Sequence, residues 1–110
     1  MAKLTMNKKL LYKRTIECLG EESQVQKAIE ECAELIVALE HWKTKRANAA
    51  AVITEIADVR IMAAQLSMIF GAKAVREECE SKRARLLDRL LADGYITGDE
   101  FQEIVSRVEI

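Results

Sequence analysis

An all-α fold, an antiparallel bundle of about four to five helices assembled as a homo-oligomer, is what the chain predicts. Three observations carry that expectation. The 110 residues contain no proline and four glycines, so few positions oppose helix propagation. Half of the residues are hydrophobic but only 5% are aromatic, a helical protein's balance. Apolar residues recur at helical spacing between the few breaks, and no stretch shows a convincing strand pattern.

The first helix is expected over about residues 5–19, where Leu11, Thr15 or Ile16, and Leu19 keep helical spacing, ending at Gly20 as a C-terminal cap. Ser23 and Gln26 read as a capping box opening a second helix that continues to about residue 43, before the polar stretch KTKRAN. Asn48 caps a third, AAAVITEIADVRIMAAQLSMIF, which stops at Gly71. A highly charged fourth helix over about residues 72–92 ends at Asp93 and Gly94. Thr97 and Glu100 form a capping box for a short last helix to about residue 108. No repeat or linker interrupts this order, so residues 1–110 read as a single domain, within the usual ~100 to 200 residues.

Seventeen basic and eighteen acidic residues leave a net charge of −1, which argues against a general electrostatic grip on nucleic acid or an anionic membrane. Cys18, Cys32 and Cys79 are odd in number and widely spaced. They suggest neither a disulfide framework nor a zinc cluster, but small core residues in a reducing cytoplasm. The apolar run of MAKLTMNKKLLYKR is too short and too broken by lysines for a signal peptide. The run over residues 49–70 is long enough to span a bilayer, but it holds Glu55, Asp58 and Arg60. Each costs ~2.5 to 3.5 kcal/mol at a membrane centre, so this is expected to be a buried helix of a soluble protein.

The second and third helices carry the chemistry. In IEECAELIVALEHW, Ile29, Cys32, Ile36 and Leu39 make one apolar stripe while Leu35, Val37, Ala38 and Trp42 fall on other sides, so the helix is expected to be buried. Ionised carboxylates in such a place demand a compensating charge. Glu31 with Glu34 and Glu55 with Asp58 are each three residues apart, on one side of their helices. The short KTKRAN loop makes those helices antiparallel neighbours, and if the acidic faces meet, four carboxylates converge that cannot all stay ionised without cations. All-oxygen donors favour Mg2+, Mn2+ or Ca2+. A solvated acidic face is the plainer explanation of any single Glu-x-x-Glu, but its recurrence in two apolar helices favours metal.

EECAEL followed by EIAD resembles the signature of the all-α nucleoside triphosphate pyrophosphatase superfamily, in its MazG-like branch. The resemblance covers about residues 24–85, from Gln24 through AIEECAEL and EIADVRIMAAQL to Lys82 and Arg85. Members of the branch often have Asn two residues before the lysine, where this chain has Glu80. The resemblance implies Mg2+-dependent cleavage of a nucleoside triphosphate to the monophosphate and pyrophosphate, with Mn2+ as a substitute. Glu31, Glu34, Glu55 and Asp58 would bind metal, Glu30 or Glu34 would take the proton of the attacking water, and Lys82, Arg85 and Gln24 would contact substrate. Phosphoribosyl-ATP or a modified nucleotide is the alternative substrate.

Other residues read more plainly. Lys43, Lys45 and Arg46 suit loop solubility, His41 suits the helix dipole, and Trp42 suits packing over stacking on a base. A non-enzymatic helical oligomerisation module is the competing class. Either way the excess apolar surface predicts a homodimer or homotetramer.

Overall fold

Asn7 opens the first helix. Its Oδ1 accepts from the Leu10 backbone N–H at 3.0 Å, and in the computed structural model, which describes residues 4–105, α1 is Lys8–Leu19, starting three residues later than the spacing suggested. Gly20, at φ +92°, serves two helices. Its N–H donates to Ile16 O at 2.8 Å and its carbonyl accepts from Gln24 N at 3.1 Å. The second helix, α2, therefore begins at once as Glu21–Lys43, without a side-chain cap. Ser23 lies inside its first turn, and the expected capping box with Gln26 is not used.

Asn48 caps α3, Ala49–Phe70, through its Oδ1 and Ala51 N at 3.3 Å. Gly71 ends it, at φ +126°, a region open to glycine, and α4, Ala72–Ala92, follows directly. The last helix, α5, is Gly98–Ile104. The expected Thr97 and Glu100 capping box is formed, each reciprocal bond measuring 3.1 Å. Val105 is the C-cap, short of the expected end near residue 108, which falls beyond the described residues. The fold is all-α, with no strand among the described residues and no helix long and apolar enough to cross a membrane.

The chain divides into two compact units, one up to Ala72 and the other from Lys73. In the first, α2 and α3 form the main pair and α1 packs on both. Between them, the Arg46 and Ala47 N–H groups donate to His41 O at 2.7 and 3.3 Å, closing the end of α2. The pair is antiparallel, since His41 late in α2 shares a hollow with Ala51 early in α3, and Gln24 early in α2 shares one with Met62. In the second unit the Tyr95 and Ile96 N–H groups fold back onto Leu90 O at the end of α4.

The seam of the α2–α3 pair is not the apolar stripe of the sequence. Buried on α2 are Gln24, Ala28, Glu31 and Ala38, and on α3 Met62 and Gln65. The small side chains of Ala28 and Ala38 let the helices approach, the other buried α2 positions are polar, and Leu35, between Glu31 and Ala38 on the same stripe, is half-buried. Ile29, Ile36 and Leu39 lie exposed, as do Ile53 and Ile56, with Ile36 63% and Ile53 64% exposed. Within one chain, α2 and α3 are therefore not buried all round. Cys18, Cys32 and Cys79 are free and exposed rather than small core residues.

Candidate metal centre

Glu31 sits on the inward stripe of α2, seven residues after Gln24 and three after Ala28, a spacing that carries it to the α3 side. It is 7% exposed. Glu34 lies one turn further on, and Glu55 reaches in from α3. One carboxylate oxygen from each of these three residues lies within 4.8 Å of the other two. Glu55 is half-buried and Glu34 exposed, so the cluster is closed at its base and open at its mouth. Asp58 is half-buried one turn further along α3 and stands outside this group of three.

The electrostatics of the cluster are incomplete. Lys27, one turn before Glu31, places Nζ 3.1 Å from Glu31 Oε1. That hydrogen bond and the charge of Glu31 raise the lysine's proton affinity above its ordinary value. Lys27 is the compensating cation that the sequence pattern did not single out, although the i,i+4 spacing was there to be read. One ammonium does not balance three carboxylates. Glu31 Oε2 and Glu55 Oε2 are buried without any hydrogen-bond partner. The negative charge of Glu31, then lost hydration, then the charge of Glu55 hold the Glu34 carboxyl above its usual range.

Buried carboxylate oxygens left bare are costly, because the charged group loses water and gains nothing in return. A divalent cation removes that cost. The donors are hard oxygens, with no His or Cys in the cluster, a set suited to Mg2+, Mn2+ or Ca2+. The residues present thus fit a divalent metal on their burial and bare oxygens, not on acidity alone.

The other anticipated residues occupy different places. Gln24 is buried at the seam and Glu30 is exposed, and both line a hollow with Lys27 and Met62. Lys82 and Arg85 are exposed on α4 in the second unit, where they line a shallow basic hollow with Asp88 and Arg89. Gln65, which drew no attention in the sequence, is 4% exposed and its Oε1 has no partner. Its signal was the register Asp58, Met62, Gln65, steps of four and three along one face of α3.

His41 and Thr54 were also not anticipated as site residues. They line an open hollow beside the cluster, shared with Val37, Ala38 and Ala51, and the same hollow is bounded by Glu34 and Glu55. Trp42 is exposed in the neighbouring hollow with Lys43, Lys45 and Arg46. Compared with known proteins, the chain matches no family model, no curated protein and no solved structure.

Proposed function

We propose that the protein is a Mg2+-dependent nucleoside triphosphate pyrophosphohydrolase that acts as a homo-oligomer. The observation that carries this reading is the pair of bare, buried oxygens, Glu31 Oε2 and Glu55 Oε2, on facing helices of one carboxylate cluster. The resemblance of EECAEL and EIAD to the MazG-like branch supplies the reaction, hydrolysis of the anhydride between the α and β phosphates.

Glu31, Glu34 and Glu55 would hold the cation, and Asp58 stands one helical turn from Glu55 on the same side of α3. When bound, Mg2+ or Mn2+ would supply the charge that neutralises phosphate and the Lewis acidity that polarises a phosphoryl oxygen. Glu31 anchors the cluster, because its other oxygen is fixed by Lys27 at 3.1 Å. Glu34 is exposed at the mouth, where water reaches it, and it or the exposed Glu30 takes the proton of the attacking water. The resemblance gives phosphate contacts to Lys82 and Arg85, which line a basic hollow of the second unit. Self-association covers the exposed apolar side chains of α2 and α3, since contiguous faces of this kind mark protein contacts.

The test is pyrophosphate release from a panel of nucleoside triphosphates with Mg2+ and with EDTA, for the wild type and Glu31→Gln. Metal-dependent release by the wild type, and its loss in the variant, is the expected result. Absence of release from every nucleotide, with no metal-induced rise in thermal stability, rejects the enzymatic reading.

A further inference from the structure

Charge is unevenly spread along the chain. Residues 1–16 hold five of the seventeen basic side chains and none of the eighteen acids, so the net charge of −1 divides into +5 there and −6 over the rest. At physiological salt, exposed charges further apart than about 8 Å are largely screened. An approaching surface therefore meets this local cationic patch and not the net charge. The patch lies outside residues 24–85, which carry the family resemblance, and it is independent of the function proposed above.

Tyr12, Thr15 and Ile16 are the half-buried stripe by which α1 packs on α2 and α3. At 3.6 residues per turn, Leu10, Lys13 and Arg14 project from the opposite side and Leu11 from its edge. All four are exposed. Leu4 and Met6, just before the helix, are exposed as well, Leu4 to 84%. Lys13 and Arg14 share Glu17 at 4.0 and 2.9 Å, whereas Lys8 and Lys9 have no acidic partner among the described residues. Arg60 of α3 carries the patch across to a second helix, since it lines a hollow with Lys8 and Tyr12 in which no acid takes part.

Cations interleaved with bare aliphatic side chains suit a lipid surface, which offers phosphate and acyl chain together. We infer that Leu4–Arg14, with Arg60 beside it, docks on a membrane surface rich in anionic lipid. The segment lies in the plane of the interface and does not cross it, in keeping with the lack of any helix long and apolar enough to span. Lipid phosphates pair with the ammonium and guanidinium groups, and Leu4, Met6, Leu10 and Leu11 enter the boundary between headgroups and acyl chains. A nucleic acid would satisfy the cations but leave those four side chains in water. Tyr12, the one aromatic of the stretch, is half-buried against the bundle and not free to stack on a base.

The test is co-sedimentation of the full-length protein with vesicles of phosphatidylcholine alone and with vesicles in which one quarter of the lipid is phosphatidylserine, beside binding of a single-stranded oligonucleotide. Lys8→Gln combined with Lys9→Gln removes charge, and Leu10→Ser removes apolar contact. All three replaced side chains are exposed, and circular dichroism checks that helix content is retained.

The wild type is expected to sediment with the phosphatidylserine vesicles only and to be released by salt. The charge variant is expected to lose affinity at least tenfold, each cation near such a surface contributing about fivefold, and Leu10→Ser about threefold or more. Sedimentation with neither vesicle, equal sedimentation with both, or wild-type affinity in either variant overturns the inference. Tighter binding of the oligonucleotide than of the vesicles assigns the patch to nucleic acid and also overturns it. So does a fall in oligomer mass in the charge variant when the wild type binds no vesicle, which makes a second copy of the chain the occupant.

Discussion

Glu31 combines features that rarely coexist in a side chain serving stability alone. It is buried, one oxygen meets a lysine whose own side chain is 56% exposed, and the other has no hydrogen-bond partner although the carboxylates of Glu34 and Glu55 crowd the same residue. Glu55→Gln separates a metal role from a structural one, because it removes a charge while keeping size and polarity. Without metal the variant is expected to be as stable as the wild type or more so, since like-charge repulsion falls. With Mg2+ the order reverses. At a concentration 100 times its Kd, a bound cation stabilises the wild type by about 2.7 kcal/mol, and the amide, a poorer ligand, loses most of that gain. Thermal unfolding in EDTA and in Mg2+ reads both signs, and a variant less stable than wild type in EDTA contradicts the repulsion argument.

Glu34 yields a pH prediction with a definite direction. Its proton affinity is raised in the folded state, first by the charge of Glu31, so the folded state binds this proton more tightly than the unfolded chain. Its contribution to stability is fully present below the unfolded carboxylate range and is lost as pH rises through the higher folded pKa. In EDTA, Glu34→Gln is therefore expected to remove this loss across the mildly acidic range, seen as a flatter melting temperature against pH. Three of the four acids singled out by EECAEL and EIAD do come within reach of one another: i,i+3 spacing sets Glu31 beside Glu34 locally, whereas Glu55 arrives only through the pairing of α3 with α2. Lys27 and Gln65 escaped notice because their meaning depends on which stripe turns inward, which one helix alone does not decide.

That choice of stripe belongs to the element scale. The sequence of α2 offers two seams, the large apolar one of Ile29, Ile36 and Leu39, and the small polar one of Gln24, Ala28, Glu31 and Ala38. Hydrophobicity points to the first, but α3 packs on the second. Alanines at the seam permit close approach, which brings Glu55 to Glu31 across the pair. Ala28→Leu tests whether that approach sets the metal centre. Ala28 is 3% exposed, and inserting a larger side chain into such a contact costs about 1 to 3 kcal/mol. The helices are expected to separate, lowering Mg2+ affinity at least tenfold although no carboxylate has changed. Calorimetric Mg2+ titration beside urea unfolding measures both effects, and unaltered Mg2+ affinity in a destabilised variant breaks the proposed link.

At the scale of the whole molecule, the helix breaks were legible because glycine and asparagine act locally, whereas the covering of α2 and α3 was not legible from one chain. Those helices are apolar on nearly all sides in sequence, yet only Ala28, Ala38 and Met62 are apolar and buried among the described residues. The proposed self-association would reconcile the two facts by turning the outer faces into a shared core. Ile36 is the natural probe, since it is 63% exposed and lies off the seam that holds the acids. Burying such a side chain contributes about 1.5 to 3 kcal/mol, and a carboxylate in its place adds a desolvation penalty at the same contact. In an isolated chain the same change alters an exposed position, where effects stay within about 0.5 kcal/mol. Ile36→Asp is therefore expected to shift the protein from an oligomer to the 12.4 kDa chain mass at micromolar concentration, with helical circular dichroism retained. Light scattering coupled to size exclusion decides it: a wild type already at the single-chain mass removes the case for a shared core, and an oligomer indifferent to Ile36→Asp moves the contact away from this face.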